Sequence, residues 1–201
     1  MHSRQIPMGK YMGFLTTSQL SAMGFHSCGR GVLISDKASF HGVLRISIGE
    51  FVRIDDFCVL SAGIGGIFIG NHVHIGCHSS LIGKERITLG DFSNISSRVS
   101  IYSSSDDYSG NYMTNLMIPD EFKNVNHRPV NIGKHSILGC GSVILPGANL
   151  GEGCAVGALS LVREPCEPFG IYAGIPARRR ADRAHGILEH EKRFLEENNR
   201  D

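Results

Sequence analysis

Two carboxylates stand side by side in Ile101-Tyr102-Ser103-Ser104-Ser105-Asp106-Asp107-Tyr108-Ser109-Gly110. A carboxylate can orient an amine and accept or relay its proton. A hydroxyl, with a pKa far above 7, gains far more from a positioned base such as histidine. Two histidines downstream are candidates for base or proton relay: His127, which closes the segment holding the aspartates, and His135, in Gly133-Lys134-His135-Ser136. None of the six cysteines, at 28, 58, 77, 140, 154 and 166, has a histidine and an acid at a spacing that would make it a nucleophile. No CxxC pair or zinc spacing occurs, so no metal is expected.

These groups must be positioned by a repeat. Aliphatic anchors recur every six residues from Ile48 through Ile54 and Leu60, then Ile69, Ile75, Leu81, Leu89, Ile95 and Ile101. They resume at Ile132, Leu138, Ile144, Leu150, Val156 and Val162. Helices repeat at about 3.6 residues and strands at 2, so neither alone makes this pattern. A short strand plus a tight turn does, when three such units close one triangular coil of roughly 18 residues. Small or β-branched residues four after most anchors, Cys58 and Cys154 among them, should face the core. Cys77 and Cys140, two after an anchor, should face a corner, and His78 and His135 should point outward.

The pattern divides the chain into three parts. Residues 1–31 form an N-terminal extension with a short helix capped by Thr17 or Ser18 and ended by Gly24. Residues 32–180 form the coil, with longer corners near Ala62–Gly66 and Gly83–Arg86 and a polar excursion over 103–128. An excursion of that length from a regular solenoid reads as functional or as an oligomer contact. Residues 181–201 read as a helix whose Ile187, Leu188, Phe194 and Leu195 make one apolar stripe, suited to capping the solenoid end.

The stretches IGEFVRIDDFCVLS, IGNHVHIGCHSSLIG, LGDFSNISSRVSIY and IGKHSILGCGSVILPGANLGEGCAVGALSLV resemble the hexapeptide-repeat acyltransferases. The resemblance implies an all-β, left-handed parallel β-helix, a hand that the right-handed crossover preference would not suggest. It also implies a homotrimer with acetyl-CoA in the groove between subunits. Matching cofactor positions are Cys140, Gly141, Ser142, Gly157 and Ala158, where small side chains admit an extended molecule. Arg163, where the family commonly has Lys, and Arg178 and Arg180, after a YAGIPA exit segment, are placed to meet its phosphates.

Galactoside and maltose O-acetyltransferases of this family carry a catalytic His just before the long loop; here Asp106 and Asp107 stand there. The acceptor therefore tilts from hydroxyl to amine. The DDYSG loop, with Tyr108, and the later IPDEFKNV resemble N-acetyltransferases of nucleotide-linked amino-deoxysugars, of the dTDP-4-amino-4,6-dideoxyglucose type, from O-antigen and surface-polysaccharide pathways. That resemblance assigns Asp106 and Asp107 to the amine, with His135 or His127 as relay. It adds Asp55 and Asp56 to the sugar or nucleotide pocket, although a corner-bracing turn explains them equally well; His78, outward-facing by register and just ahead of a longer corner, is a candidate for sugar contact. A backbone amide near Gly141 or Ser142 would hold the oxyanion.

A net charge of +1 with 19% charged residues gives no basic excess for nucleic acid. No stretch approaches the ~20 apolar residues of a membrane span, and no basic-plus-apolar leader opens the chain, so a cytoplasmic location is expected. Two other readings keep the fold. One is a sugar O-acetyltransferase using His135 or His127 as base. The other is a non-catalytic scaffold or a zinc-binding anhydrase, the latter opposed because His72, His74 and His78 do not come from separate coils.

Overall fold

A computed structural model describes residues 13–198. It is a left-handed parallel β-helix of about seven coils, three of whose sheets form the sides of a triangular prism. The first side stacks strands Ser27–Cys28, Ile46–Ile48, Ile67–Ile69, Ile87–Leu89, Val130–Ile132 and Asn149–Leu150. The second runs from Leu33–Ile34 to Gly170–Ala173, and the third from Ser39–His41 to Leu161–Val162. Every ladder between these coils is parallel, with Ile48 over Ile69, Ile54 over Ile75 and Leu60 over Leu81.

The six-residue anchors are the core: Ile54, Ile75, Ile95, Leu138 and their fellows are fully buried. Each coil must turn sharply three times, and the turns carry the positive φ angles that the repeat needs. At the edge between the first and second sides these fall on Phe51, His72, Phe92, His135 and Phe169; at the edge between the second and third they fall on Phe57, His78, Arg98 and Leu159. Close stacking explains the glycines just before the first-edge turns. A Cβ on Gly90 would sit 2.5 Å from the Lys134 amide nitrogen of the next coil.

Both ends of the prism are closed, in ways the sequence reading only partly anticipated. The N-terminal helix is Thr17–Ala22, and its cap is Thr16 rather than Thr17 or Ser18, in a reciprocal capping box with Gln19. Leu15, Leu20 and Phe25 pack over the first coil. The first side already begins at Ser27–Cys28, ahead of residue 32. At the other end Arg178–Asp182 folds back as a strand antiparallel to Gly170–Ala173. The C-terminal helix, Gly186–Asn198, therefore does not cap the end. It climbs back along the first edge, where Phe194 meets His72 and Phe92 edge-on at 5.1 and 5.9 Å.

Candidate active site

The excursion leaves the edge between the third and first sides on an antiparallel stem, Ser104–Ser105 against Asn126–His127. Buried Ser103 anchors the stem by donating to the Glu85 carbonyl at 2.7 Å. Ser104 Oγ accepts the Lys84 amide at 2.9 Å and lies 2.8 Å from His127 Nδ1, so His127 is a fixed part of the stem. Beyond it Asp107 and Asp106 diverge in role. Asp107 Oδ1 accepts the Ser109 amide at 2.6 Å and Oδ2 accepts from Asn124 at 2.9 Å. Hydrogen bonds from Ser109 and then Asn124 hold its pKa below the ordinary carboxylate value. Asp107 is thus committed to shaping the loop. Asp106 is exposed and makes no side-chain hydrogen bond or ion pair among the described residues. Tyr108 beside it is 93% exposed.

His135 does not join these groups. It lies under the C-terminal helix, its side chain 9% exposed, with Nε2 2.8 Å from Glu191 and its ring stacked on Phe92 at 5.1 Å. Lys134 holds the other Glu191 oxygen at 2.6 Å. Burial pushes the Glu191 pKa up, but the bonds from Lys134 and His135 outweigh it and leave the pKa low. The histidine read as a base is occupied as a docking residue.

Asp55 and Asp56 also work within the chain. Asp55 takes Arg53 Nε at 2.7 Å and His74 Nε2 at 2.8 Å. Asp56 takes the Ser35 hydroxyl at 2.5 Å and Lys37 Nζ at 2.7 Å. Burial tends to raise the Asp55 pKa and is outweighed by His74 and Arg53; Lys37 and then Ser35 lower that of Asp56. Of the two sequence readings, bracing accounts for every oxygen.

The second edge is different, because no helix among the described residues covers it. Cys140, Ala158, His78 and Arg98 are exposed there, and Leu159 is 70% exposed. The amides of Cys77, Ser97, Cys140 and Ala158 stand in one file, one per coil. They make no hydrogen bond among the described residues. Gly141 and Ser142 do not belong to that file. Their amides donate to the Ser97 and Gly139 carbonyls at 3.1 and 3.2 Å, so neither is free for an oxyanion. The Ser142 side chain points into the core, where its hydroxyl donates to Gly139 and Gly157. Gly157 stays bare because a Cβ there would lie 3.1 Å from Ala173 Cβ. Arg163 and Arg178, with Arg179, line a cleft of about 110 Å³ at the C-terminal end of the prism. Arg180 reaches the Ala173 carbonyl at 3.3 Å on the same hairpin.

No family model matches the chain. A curated relative does: it is 55% identical over 183 residues, 91% of this chain and 95% of an Escherichia coli protein named dTDP-4-amino-4,6-dideoxy-D-glucose acyltransferase. This chain belongs to that acyltransferase family. The N-acyltransferase AntD from Bacillus cereus, solved with dTDP and 3-hydroxybutyryl-CoA, superposes with a TM-score of 0.90 at 43% identity, over 94% of this chain and 100% of AntD. A more distant relative from E. coli strain K12, 30% identical over 135 residues and 65% of each chain, is named for O-acetyl transfer in lipopolysaccharide biosynthesis.

The acyltransferase family explains which parts of the site the sequence could reveal. Cys140, Gly141 and Ala158 stand on the open edge, whereas His135 is held beneath the helix. Phe57 and Arg98 each repeat the register of His78 one coil away. Among the described residues no helix is long and apolar enough to cross a membrane, and no three His, Cys, Asp or Glu groups cluster as metal ligands.

Proposed function

We propose that this acyltransferase moves an acyl group, acetyl in the simplest case, from coenzyme A to the amine of a dTDP-linked 4-amino-4,6-dideoxy sugar. The observation that carries this reading is the 55% identity, along almost the whole chain, to a protein named for that acceptor. An AntD variant has also been solved with dTDP-4-amino-4,6-dideoxyglucose and coenzyme A. We place the product in surface-polysaccharide assembly and the enzyme in the cytoplasm, where acyl-CoA is made.

The site is best read as shared between subunits of a homotrimer. Tyr108, Leu116 and Met117 on the excursion are 93, 94 and 90% exposed, apolar surface suited to a neighbouring prism. The excursion starts one full side away from its own open edge, so it would serve a neighbour's. Pantetheine then lies along the second edge, its amides facing the unpaired backbone groups, with its phosphates toward Arg163, Arg178 and Arg180. Asp106 orients the sugar amine, which attacks the thioester carbonyl. The C–N bond forms, the C–S bond breaks, and the amine's proton passes by way of Asp106 to the departing thiolate. An amide of the open file, that of Cys140 or Ala158, replaces Gly141 and Ser142 as the oxyanion donor. Holding both substrates in one groove supplies much of the acceleration.

Asp106→Asn should lower kcat by about tenfold or more while KM for acyl-CoA stays unchanged. The decisive assay measures CoA release with dTDP-4-amino sugars against plain sugars. Turnover confined to hydroxyl acceptors would reject the reading, and a monomer in sedimentation would reject the shared site.

A further inference from the structure

The two aromatic edges of the prism are built alike, and one of them already holds a ligand belonging to the chain itself. On the first edge Phe51, His72, Phe92 and His135 stack at 4.9–5.1 Å from coil to coil. Against the edges of that column sits a flat ring, Phe194, crossing His72 at 88°. One turn away the anion Glu191 is held by Lys134 and His135. The column thus takes one aromatic ring and one negative group together.

The second edge repeats the arrangement with no ring crossing it among the described residues. Phe57 stacks on His78 at 4.9 Å and 23°, and Phe57 is 51% exposed. Lys37 lies 5.6 Å from the Phe57 centroid but is already paired with Asp56. The next coil beyond His78 presents Arg98, which is exposed and has no ion pair among the described residues. After Arg98 come the open positions Cys140, Gly141 and Ala158. Along the edge the order is ring, ring, free guanidinium, open lane, at about 4.8 Å per coil.

We propose that Phe57 and His78 seat the base of the nucleotide sugar, and that Arg98 holds its diphosphate. Phe57 and Arg98 thereby become specificity-determining residues, and this rests on the acceptor being nucleotide-linked, as argued above. The base packs against the exposed rims of the two rings as Phe194 does on the first edge. A guanidinium two coils on, about 10 Å away, meets the diphosphate with a planar fork. The sugar then lies beside Ser97 and Cys140, where the pantetheine lane arrives from the other end. Coenzyme A also carries a base and phosphates, but its arginines stand at the opposite end of the prism, so the sugar nucleotide is the occupant here.

The test is calorimetric titration of the full-length protein with dTDP, with inorganic pyrophosphate and with adenosine 3′,5′-bisphosphate. Phe57→Leu and His78→Leu should each weaken dTDP about fivefold to tenfold and leave pyrophosphate unchanged. Arg98→Gln should weaken both dTDP and pyrophosphate. Phe51→Leu, at the matching turn of the other edge, is the control and should change none of them. Adenosine bisphosphate should be insensitive to all four, and thermal melting checks that each variant is folded. Unchanged dTDP affinity in the Phe57 and His78 variants overturns the seat, even if the wild type acylates a dTDP-amino sugar. Weakening of adenosine bisphosphate in place of dTDP assigns the rings to coenzyme A and overturns it as well. A wild type that neither binds dTDP nor turns over any nucleotide amino sugar removes the proposed function itself.

Discussion

The first and second edges of this prism are made from the same turn and end in opposite conditions. On the first, His72, Phe92 and His135 lie beneath a helix; on the second the positive-φ residues have no helix above them among the described residues. The lining repeats the contrast. Inside the second edge the file is Cys58, Ser79, Val99, Ser142 and Ser160, and its three serines each donate to a carbonyl at the corner, from Ser96, Gly139 or Gly157. Inside the first edge the corresponding file is Val52, Val73, Ser93, Ser136 and Cys154. There Ser136 bonds to the Gly151 carbonyl, and the Ser93 hydroxyl has no partner among the described residues. A corner covered by a helix is held from outside. A corner that must stay open is braced from within, so the backbone groups it offers keep their positions.

Two glycines make the sharpest test of this difference. Gly153 and Gly141 both have positive φ, at 67° and 72°. A Cβ on Gly153 would meet the Phe169 ring at 2.5 Å, and that ring is pinned by His185 at 3.9 Å. On Gly141 it would meet only Leu159 Cδ2 at 2.7 Å, on an exposed and movable side chain. Gly153→Ala should therefore destabilise by about 2–3 kcal/mol, through overpacking and left-handed strain, with KM for acyl-CoA unaltered. Gly141→Ala should lose about 1 kcal/mol and raise KM for acyl-CoA severalfold. Denaturant melts and steady-state kinetics on the pair would decide it; reversed outcomes would exchange the roles of the edges.

The helix latch comes next in size. Glu191→Ala leaves Lys134 and His135 without their shared partner and should loosen the helix by about 1–2 kcal/mol. The wild type should show the same release on acidification. The Glu191 pKa is lowered in the folded chain, so its contribution is complete above the unfolded carboxylate value, about 4.3, and is lost as pH falls through the folded value. Hydrogen exchange over 186–198 should rise as pH falls through that range while the coil strands stay protected. Coil and helix opening together would show that the latch is not separate.

The prism itself could be read from the sequence because its cause is local. An aliphatic side chain every six residues has one place to go, and Ile54, Leu60, Ile75 and Leu138 all went there. The lane glycines followed from the same register. The helix's resting place did not, because the pair that fixes it, His135 and Glu191, lies 56 residues apart. A trace of it was nevertheless present. Phe51, His72, Phe92 and His135 all follow a Gly-X pair, so they share one turn position and must stack. Reading His135 alone as a base missed that column. Reading Asp106 and Asp107 as equivalents missed that only one of two neighbouring carboxylates can hold the loop, which leaves the other free.

The smallest expected effect also bears on the inner bracing. Ser93 and Ser142 are both buried serines at the core-facing position of a turn, differing in edge and in hydrogen bonding. Ser93 gives up its hydration for nothing, so Ser93→Ala should be neutral or stabilising by up to about 1 kcal/mol, with kinetics unchanged. Ser142 bridges the Gly139 and Gly157 carbonyls at 2.7 and 3.0 Å, directly behind the lane. Ser142→Ala should lose about 1–2 kcal/mol, and with the two coils no longer tied it should raise KM for acyl-CoA more than it lowers kcat. Equal stability changes in the two variants would mean that the serines merely fill space. A loss at Ser142 alone, accompanied by the KM shift, would tie the inner hydrogen bonds to the shape of the open edge.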